Sequence, residues 1–321
     1  GGKLRNWPSF EPLLPRESGV FLLLIALSAV ARVRKLHATL GIAPEVTADT
    51  CGDVASRVLI SKAFRNGRIG VEPNCLNWLR LHVKGELFQF GRLQFHVVIW
   101  GAPFRVYRKI ESGEILVVAE PGQRFTAKGL FDGAGGNLAA DHWYSEWQEK
   151  DGIVTANPVS ENGRAQRQTV QFNSGTWRLV LDRNSAVMNT HIPRGPRIWL
   201  ADWHHALLRG FDFFRNVRPT AATPAACICR SWMFDPRLPD LLPDTAGLVA
   251  LQKRLRLWPS ESTDTRCGLT FIFGSRDIDL AEAPRDTTLR RAVIEHLQKG
   301  GTLSGGGMLV FEDEVAARLA R

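Results

Sequence analysis

Between residues 186 and 242 the apolar residues change their spacing twice, and this alternation limits the folds open to the chain. Ala186-Val-Met-Asn-Thr-His-Ile192 reads as a strand, and Pro193 stops it. After Arg194-Gly195-Pro196 comes a helical pattern, with Leu200, Trp203, Leu207, Phe211, Phe214 and Val217 at steps of three and four. A second apolar run at 225–229 is followed by Ser231-Trp232 and by Asp235-Pro236, a pairing suited to a helix start. Strand, helix, strand and helix in about sixty residues predict a crossover unit that delivers two parallel strands. Phosphate-bearing ligands favour the open end of such strands, beside the N-terminus of the crossover helix.

Upstream, residues 17–40, 47–64 and 73–87 predict three helices, separated by Gly41, Pro44 and Asn66-Gly67. At Leu93 the period falls to two. Leu93, Phe95, Val97 and Ile99 alternate with Gln94, His96 and Val98, the pattern of a half-buried strand. Residues 104–109 and 115–119 flank Glu111-Ser-Gly-Glu114 as a hairpin, and short strands follow at 153–159, 168–172 and 177–181. Beyond the crossover unit, 248–258 and 269–273 read as strands, the first with a helical start. A helix capped by Asp286 or Thr287 carries Leu289, Val293 and Leu297 on one face and ends at Gly300-Gly301. The loop Phe131-Asp-Gly-Ala-Gly-Gly136 lacks the frame of a phosphate loop and reads as a turn.

Of the 321 residues, 44% are hydrophobic and ten are tryptophan, enough for a sizeable core. The formal charge of +9 favours an acidic partner. The basic residues are scattered, however, and no RNA-binding motif is present, so nucleic acid is not expected. Five cysteines (Cys51, Cys75, Cys227, Cys229 and Cys267) without a C-x-x-C pair suit reduced thiols in a cytoplasm rather than a disulfide frame or a zinc site. The apolar run at 20–31 imitates a leader peptide, yet a long proline-bearing segment precedes it, and it is too short to span a bilayer. It is expected to be a buried helix.

Several stretches agree in order and spacing: Leu79-Arg-Leu-His82 with Gly85-Glu86-Leu87 and Gly91-Arg-Leu-Gln94, Phe131-Asp-Gly-Ala134, His191-Ile-Pro193, Cys229-Arg-Ser-Trp232 with Asp235-Pro236, Leu241-Leu242-Pro243, and Arg285-Asp-Thr-Thr-Leu-Arg290. Together they resemble a bacterial family of acyltransferases with a helical N-terminal domain and a C-terminal domain of the GNAT, or N-acetyltransferase-like, fold. The resemblance implies an α+β architecture: a helical domain over residues 1–92, then a mixed sheet flanked by helices over residues 93–321. It implies an N-acyltransferase that takes an acyl group from acetyl-CoA, a longer acyl-CoA or an acyl-carrier protein and gives it to an amine on a small molecule or peptide, without a metal.

On that resemblance the strand at 186–192 grips the pantetheine arm with its backbone edge, and the strand near Ala225 parts from it to open a slot. Ile192, Gly195, Arg197 and Ile198 contact the donor, with Arg194 and Arg197 adding charge at the pyrophosphate. His191 is the expected base for the attacking amine, with Asp235 assisting through water and Ser231 donating a hydrogen bond. Trp232 walls the acyl channel. Each has a structural alternative: a histidine bonded to a carbonyl, an aspartate capping a helix, a tryptophan packed in the core. Asp202, His204 and His205 are neighbours on one helix, pointing about 100° apart, and read as a solvated polar face rather than a metal site. Trp143, Tyr144 and Trp147 read equally as an acceptor pocket or a satellite core.

The loop Arg194-Gly195-Pro196-Arg197 departs from the family frame Arg/Gln-x-x-Gly-x-Gly/Ala, and the only tyrosines, Tyr107 and Tyr144, lie far upstream. Both departures favour a second reading, a GNAT-like module without catalysis that docks an acidic carrier protein or serves as a scaffold.

Overall fold

A computed structural model describes residues 10, 12–64, 67–136, 138–193, 195, 200–217, 222–262, 264, 266 and 268–319. The chain divides into two units. One gathers residues 1–98, 188–224 and 312–321, and the other residues 99–187 and 225–311. Neither is continuous in sequence, and the Ala186–His191 strand passes from one to the other after Val187.

The first unit holds the helices Ser18–Thr39, Pro44–Phe64, Pro73–Val83, Leu200–Asn216 and Glu312–Leu319. The second helix begins three residues before its expected start because Pro44, with its fixed φ and missing N–H, is well suited to a first turn. The third ends at Val83, and Gly85 takes a φ of 63° just beyond it. Leu22, Ala26, Val54, Val71, Leu76 and Leu79 form the helical core. The apolar run at 20–31 is helical but not buried all round. Leu22 and Ala26 are 1% exposed, whereas Leu24 is 61% and Leu27 50% exposed, so one face packs and another meets solvent.

The strands Phe88–Phe90 and Leu93–Ile99 form a tight antiparallel hairpin, with Phe88 opposite Phe95, and Ala186–His191 lies beside the second of them. The crossover helix Leu200–Asn216 fits this sheet closely. A Cβ at Gly210 would stand 2.7 Å from Met188 Sδ, so glycine permits the approach. Phe213 and Phe214 meet Phe88 at ring-centroid distances of 4.6 and 6.0 Å. His204, expected on a solvated face, is buried at 6% exposure, whereas Asp202 and His205 are exposed.

The second unit is built from short antiparallel strands. Phe104–Lys109 and Ile115–Ala119 form the expected hairpin, Phe104 opposite Ala119, with Gly113 at a φ of 74° in the turn. Trp177–Leu181 and Pro158–Val159 complete that sheet. Val170–Asn173, Ile153–Ala156 and Trp147–Lys150 form another, and Arg124–Thr126 pairs with His142–Tyr144. The strands Cys227–Ser231 and Arg256–Pro259 both pair antiparallel with Gly306–Val310. Thr287 caps the helix Thr288–Gln298, its Oγ1 accepting from the Arg290 amide at 3.1 Å.

Residues 248–258 start helical and end as a strand, as expected, in the helix Gly247–Gln252 and the strand Arg256–Pro259. One expectation is corrected: residues 269–273 are a helical turn rather than a strand, bracketed by Gly268 and Gly274 in left-handed conformation. Of the aromatic cluster, Trp143 is buried against Phe125 while Tyr144 is 56% exposed.

Candidate active site

His191 is the last residue of its strand. Across the neighbouring Leu93–Ile99 strand stands His96, and the two Nε2 atoms are 3.3 Å apart. Asn189 Nδ2 lies 3.0 Å from His96 Nε2 and 3.2 Å from His191 Nε2. The amide nitrogen has two hydrogens and no lone pair to offer, so it donates one to each ring. Both imidazoles are thereby assigned as Nδ1–H tautomers with Nε2 lone pairs converging on one amide.

The environment enforces this neutral state. Burial, then the neighbouring His96 and Arg57, push His191 down to about 3, against a weaker opposing pull from Asp53. Burial likewise lowers His96. An added proton would change the close N···N contact into an N–H···N bond, so the pair can hold one proton between two rings. Trp78 meets the His191 ring edge-on at 4.4 Å, and its Nε1 donates to Gln94 Oε1 at 3.2 Å.

Beneath Trp78 lies a buried ionic group. The Arg57 guanidinium is 5.1 Å from the Trp78 ring centroid, and its Nε is 3.4 Å from Asp53 Oδ2. His82 Nε2 reaches the same oxygen at 3.1 Å, and His82 Nδ1 faces the Leu87 carbonyl at 3.1 Å. Burial alone would raise the Asp53 carboxyl. The His82 hydrogen bond and the Arg57 charge outweigh it and hold the group below its ordinary range. These contacts fix Trp78, and through it the wall of the His191 site.

Immediately after His191 the chain meets Arg92, from the turn between the Phe88–Phe90 and Leu93–Ile99 strands. Arg92 Nη2 donates to the Pro193 carbonyl at 2.5 Å. A Cβ on Gly195 would lie 2.5 Å from Arg92 Cζ, so glycine lets the guanidinium rest on the loop backbone. Burial lowers the pKa of Arg92. Ile192 is half-buried and Gly195 exposed, while Arg194, Arg197 and Ile198 lie outside the described residues.

The other expected site residues belong to the second unit. Ser231 ends its strand, and its Oγ accepts from the Met233 amide at 3.3 Å, capping a short 3-10 turn. Trp232 packs against Leu269, Ile272, Val293 and Leu303, and Gly268 makes room for it, since a Cβ there would be 2.6 Å from Trp232 Cγ. Asp235 is 1% exposed and fully engaged. Arg237 grips it bidentately, Nε to Oδ1 at 2.9 Å and Nη2 to Oδ2 at 2.7 Å, and the Ser304 amide donates to Oδ2 at 3.0 Å. Its Oδ1 also accepts from the Arg237 amide at 3.0 Å, organising the turn before Leu238–Leu241. These contacts give Asp235 a structural task and leave little of its carboxylate for proton transfer. Among the described residues no group of three His, Cys, Asp or Glu side chains is arranged to hold a metal ion.

The chain belongs to the family of GNAT-like acyltransferases: the model for a GNAT-like C-terminal domain matches residues 87–309, and that for an N-acyltransferase N-terminal domain matches residues 2–85. Its fold is similar to that of an acyltransferase crystallised with decanoyl-CoA and teicoplanin, with a TM-score of 0.61 and 20% identity over 97% of this chain and 72% of that one. An acyltransferase in complex with decanoyl-CoA gives a TM-score of 0.56 and 19% identity over 92% and 66% of the two chains, and one with CoA and 10C-teicoplanin gives 0.61 and 20% over 97% and 72%. The chain thus spans between 66% and 72% of the length of these neighbours. No curated protein sequence matches it significantly. Among the described residues no helix is long and apolar enough to cross a membrane.

Proposed function

We propose that this chain transfers an acyl group from an acyl-thioester to an amine, with His191 as the group that receives the amine proton. The observation that carries the reading is the His96–Asn189–His191 cluster at the end of the strand: a base must be uncharged before it can accept a proton, and this one is held neutral. A value near 3 makes His191 alone a weak acceptor. The His96 ring 3.3 Å away is one cause of that low value, so proton transfer to His191 depends on the bound substrates changing its surroundings. The amine displaces Asn189 from His191 Nε2 and attacks the thioester carbonyl directly, backbone amides of the strand stabilise the oxyanion, and thiolate leaves while the proton passes to His191 Nε2.

In the same reading the donor is acyl-CoA. Arg92, resting on Pro193 and Gly195, supplies a guanidinium where the pyrophosphate of such a donor would pass, and Ile192 and Gly195 offer backbone groups to it. At the start of the strand the Ala225 amide donates to the Ala186 carbonyl at 2.8 Å. Asp235 is left out of the chemistry. The decanoyl-CoA and glycopeptide bound by the structural neighbours support an acyl-CoA donor and a bulky amine acceptor here. In this reading the helical domain covers residues 1–92 and the GNAT-like domain residues 93–321.

Release of free thiol from acetyl-, octanoyl- and decanoyl-CoA in the presence of amines tests this. His191→Asn should lower kcat by about 10²- to 10⁴-fold, the usual worth of a general base, and leave the donor KM nearly unchanged. Undiminished turnover in the variant would remove His191 from the mechanism. Thermal stabilisation by an acidic carrier protein but by no acyl-CoA would favour the non-catalytic docking module.

A further inference from the structure

A second site stands in the other unit. Arg230, Gly307 and Trp258 occupy one row across three paired strands, Arg230 opposite Gly307 and Trp258 opposite Gly307 on its other side. Side chains in such a row share a face of the sheet. Gly307 contributes none, and the Trp258 indole fills the space: a Cβ there would lie 2.0 Å from Trp258 Cζ2. Over this row opens a cleft of about 270 Å³, walled by Ala102, Pro103 and Phe104 and rimmed by Ser260, Glu261 and Ser262. The rim is ordered by its own polar groups, the Ser262 amide donating to Ser260 Oγ at 3.2 Å and the Ser262 carbonyl accepting from Gly135 at 3.1 Å.

Two full charges of opposite sign line this cleft, and among the described residues neither has a partner. The Arg230 guanidinium and the Glu261 carboxylate are both exposed, and neither makes an ion pair or side-chain hydrogen bond, with each other or with anything else described. Several carboxylates of this unit are differently placed, since Glu120, Asp132, Asp235, Asp264 and Asp286 all pair with arginines. Phe104 and Trp258, both buried, form the floor of the cleft. Behind Trp258, the Trp100 ring packs edge-on at 5.9 Å, with its buried Nε1–H unpartnered. The volume is just under the range of about 300–1,000 Å³ typical of drug-sized ligands and suits a molecule no larger than an amino acid.

We infer that the cleft lined by Arg230 and Glu261 binds a small zwitterion of α-amino-acid type, its carboxylate on Arg230 and its ammonium on Glu261. A planar guanidinium suits a carboxylate bidentately. That this ligand is also an acyl acceptor, or the acceptor's amino-acid portion, rests on the acyl-transfer reading above; the binding itself does not.

Calorimetric titration of the full chain with L-leucine, N-acetyl-leucine and leucinamide tests the assignment. Leucine should bind, and blocking either end should weaken it by about tenfold or more, as loss of one charge-assisted contact requires. Arg230→Ala should remove the preference for a free carboxylate, and Glu261→Gln that for a free ammonium. Both positions are exposed, so the fold survives either change. No heat with leucine, or equal binding of all three probes, would overturn the proposal. Acyl transfer to other amines without leucine binding would sink this site and leave the transferase intact; leucine binding without any thiol release would do the reverse.

Discussion

Acidification from pH 7 to pH 5 should cost this protein stability through His191 in particular. The folded chain holds that imidazole down at about 3, whereas the unfolded chain leaves it near its ordinary 6.5. Between these values the unfolded state binds a proton that the folded state refuses, so stability is intact above about pH 6.5 and falls as pH drops toward 3. At 1.36 kcal/mol per unit, the interval from 6.5 to 5 amounts to about 2 kcal/mol, and the full interval to about 5 kcal/mol. The ring is partly solvent-accessible, which makes both upper figures. Urea unfolding of the wild type and of His191→Asn at pH 7 and pH 5, followed by circular dichroism, isolates the effect. The loss on acidification should be smaller in the variant by up to about 2 kcal/mol, because His96, itself lowered by burial, titrates in both proteins. Equal acid sensitivity in the two would refute the argument that His191 is held neutral by its surroundings.

Gly307→Ala should destabilise strongly, by about 3 kcal/mol or more, since the new methyl meets the Trp258 ring at 2.0 Å in a close-packed row; an unchanged thermal midpoint would contradict the packing. Asp235→Ala should cost about 3 kcal/mol in chemical denaturation, by stranding Arg237 and the Ser304 amide. A stable variant lacking turnover would instead return Asp235 to the chemistry. Arg92→Ala should weaken coenzyme A in calorimetric titration by about tenfold while changing the circular dichroism spectrum little, and unaltered affinity would place the pyrophosphate elsewhere.

Where periodicity was long, the chain declared its structure. Six apolar positions from Leu200 to Val217 announce the crossover helix, and alternation from Leu93 announces the strand beneath it. Where a run was short, the period had no room to speak. Leu269-Thr-Phe-Ile-Phe273 is rich in strand-forming residues, yet left-handed glycines on both sides close it into a single helical turn. The apolar run at 20–31 misled in another way, because composition reports how much apolar surface exists and not how many neighbours cover it.

The site was half legible. His191 stands out at the end of a strand. His96 is one polar residue of an alternating strand, and nothing local says that a chain reversal 95 residues later brings it within 3.3 Å. Asn189, Trp78 and Arg92 were missed for the same reason: their meaning lies in long-range contacts. The engagement of Asp235 did leave a local trace, since Arg237 stands two residues on, close enough to close the turn and grip the carboxylate.

A crystal structure of the chain soaked with decanoyl-CoA would show where the donor lies. The thioester carbonyl should sit beside His191 Nε2 and the backbone of the 188–191 strand, with the pyrophosphate against Arg92 and Gly195. Donor density anywhere else, or a gap beside His191 filled by this chain's own side chains, would contradict it.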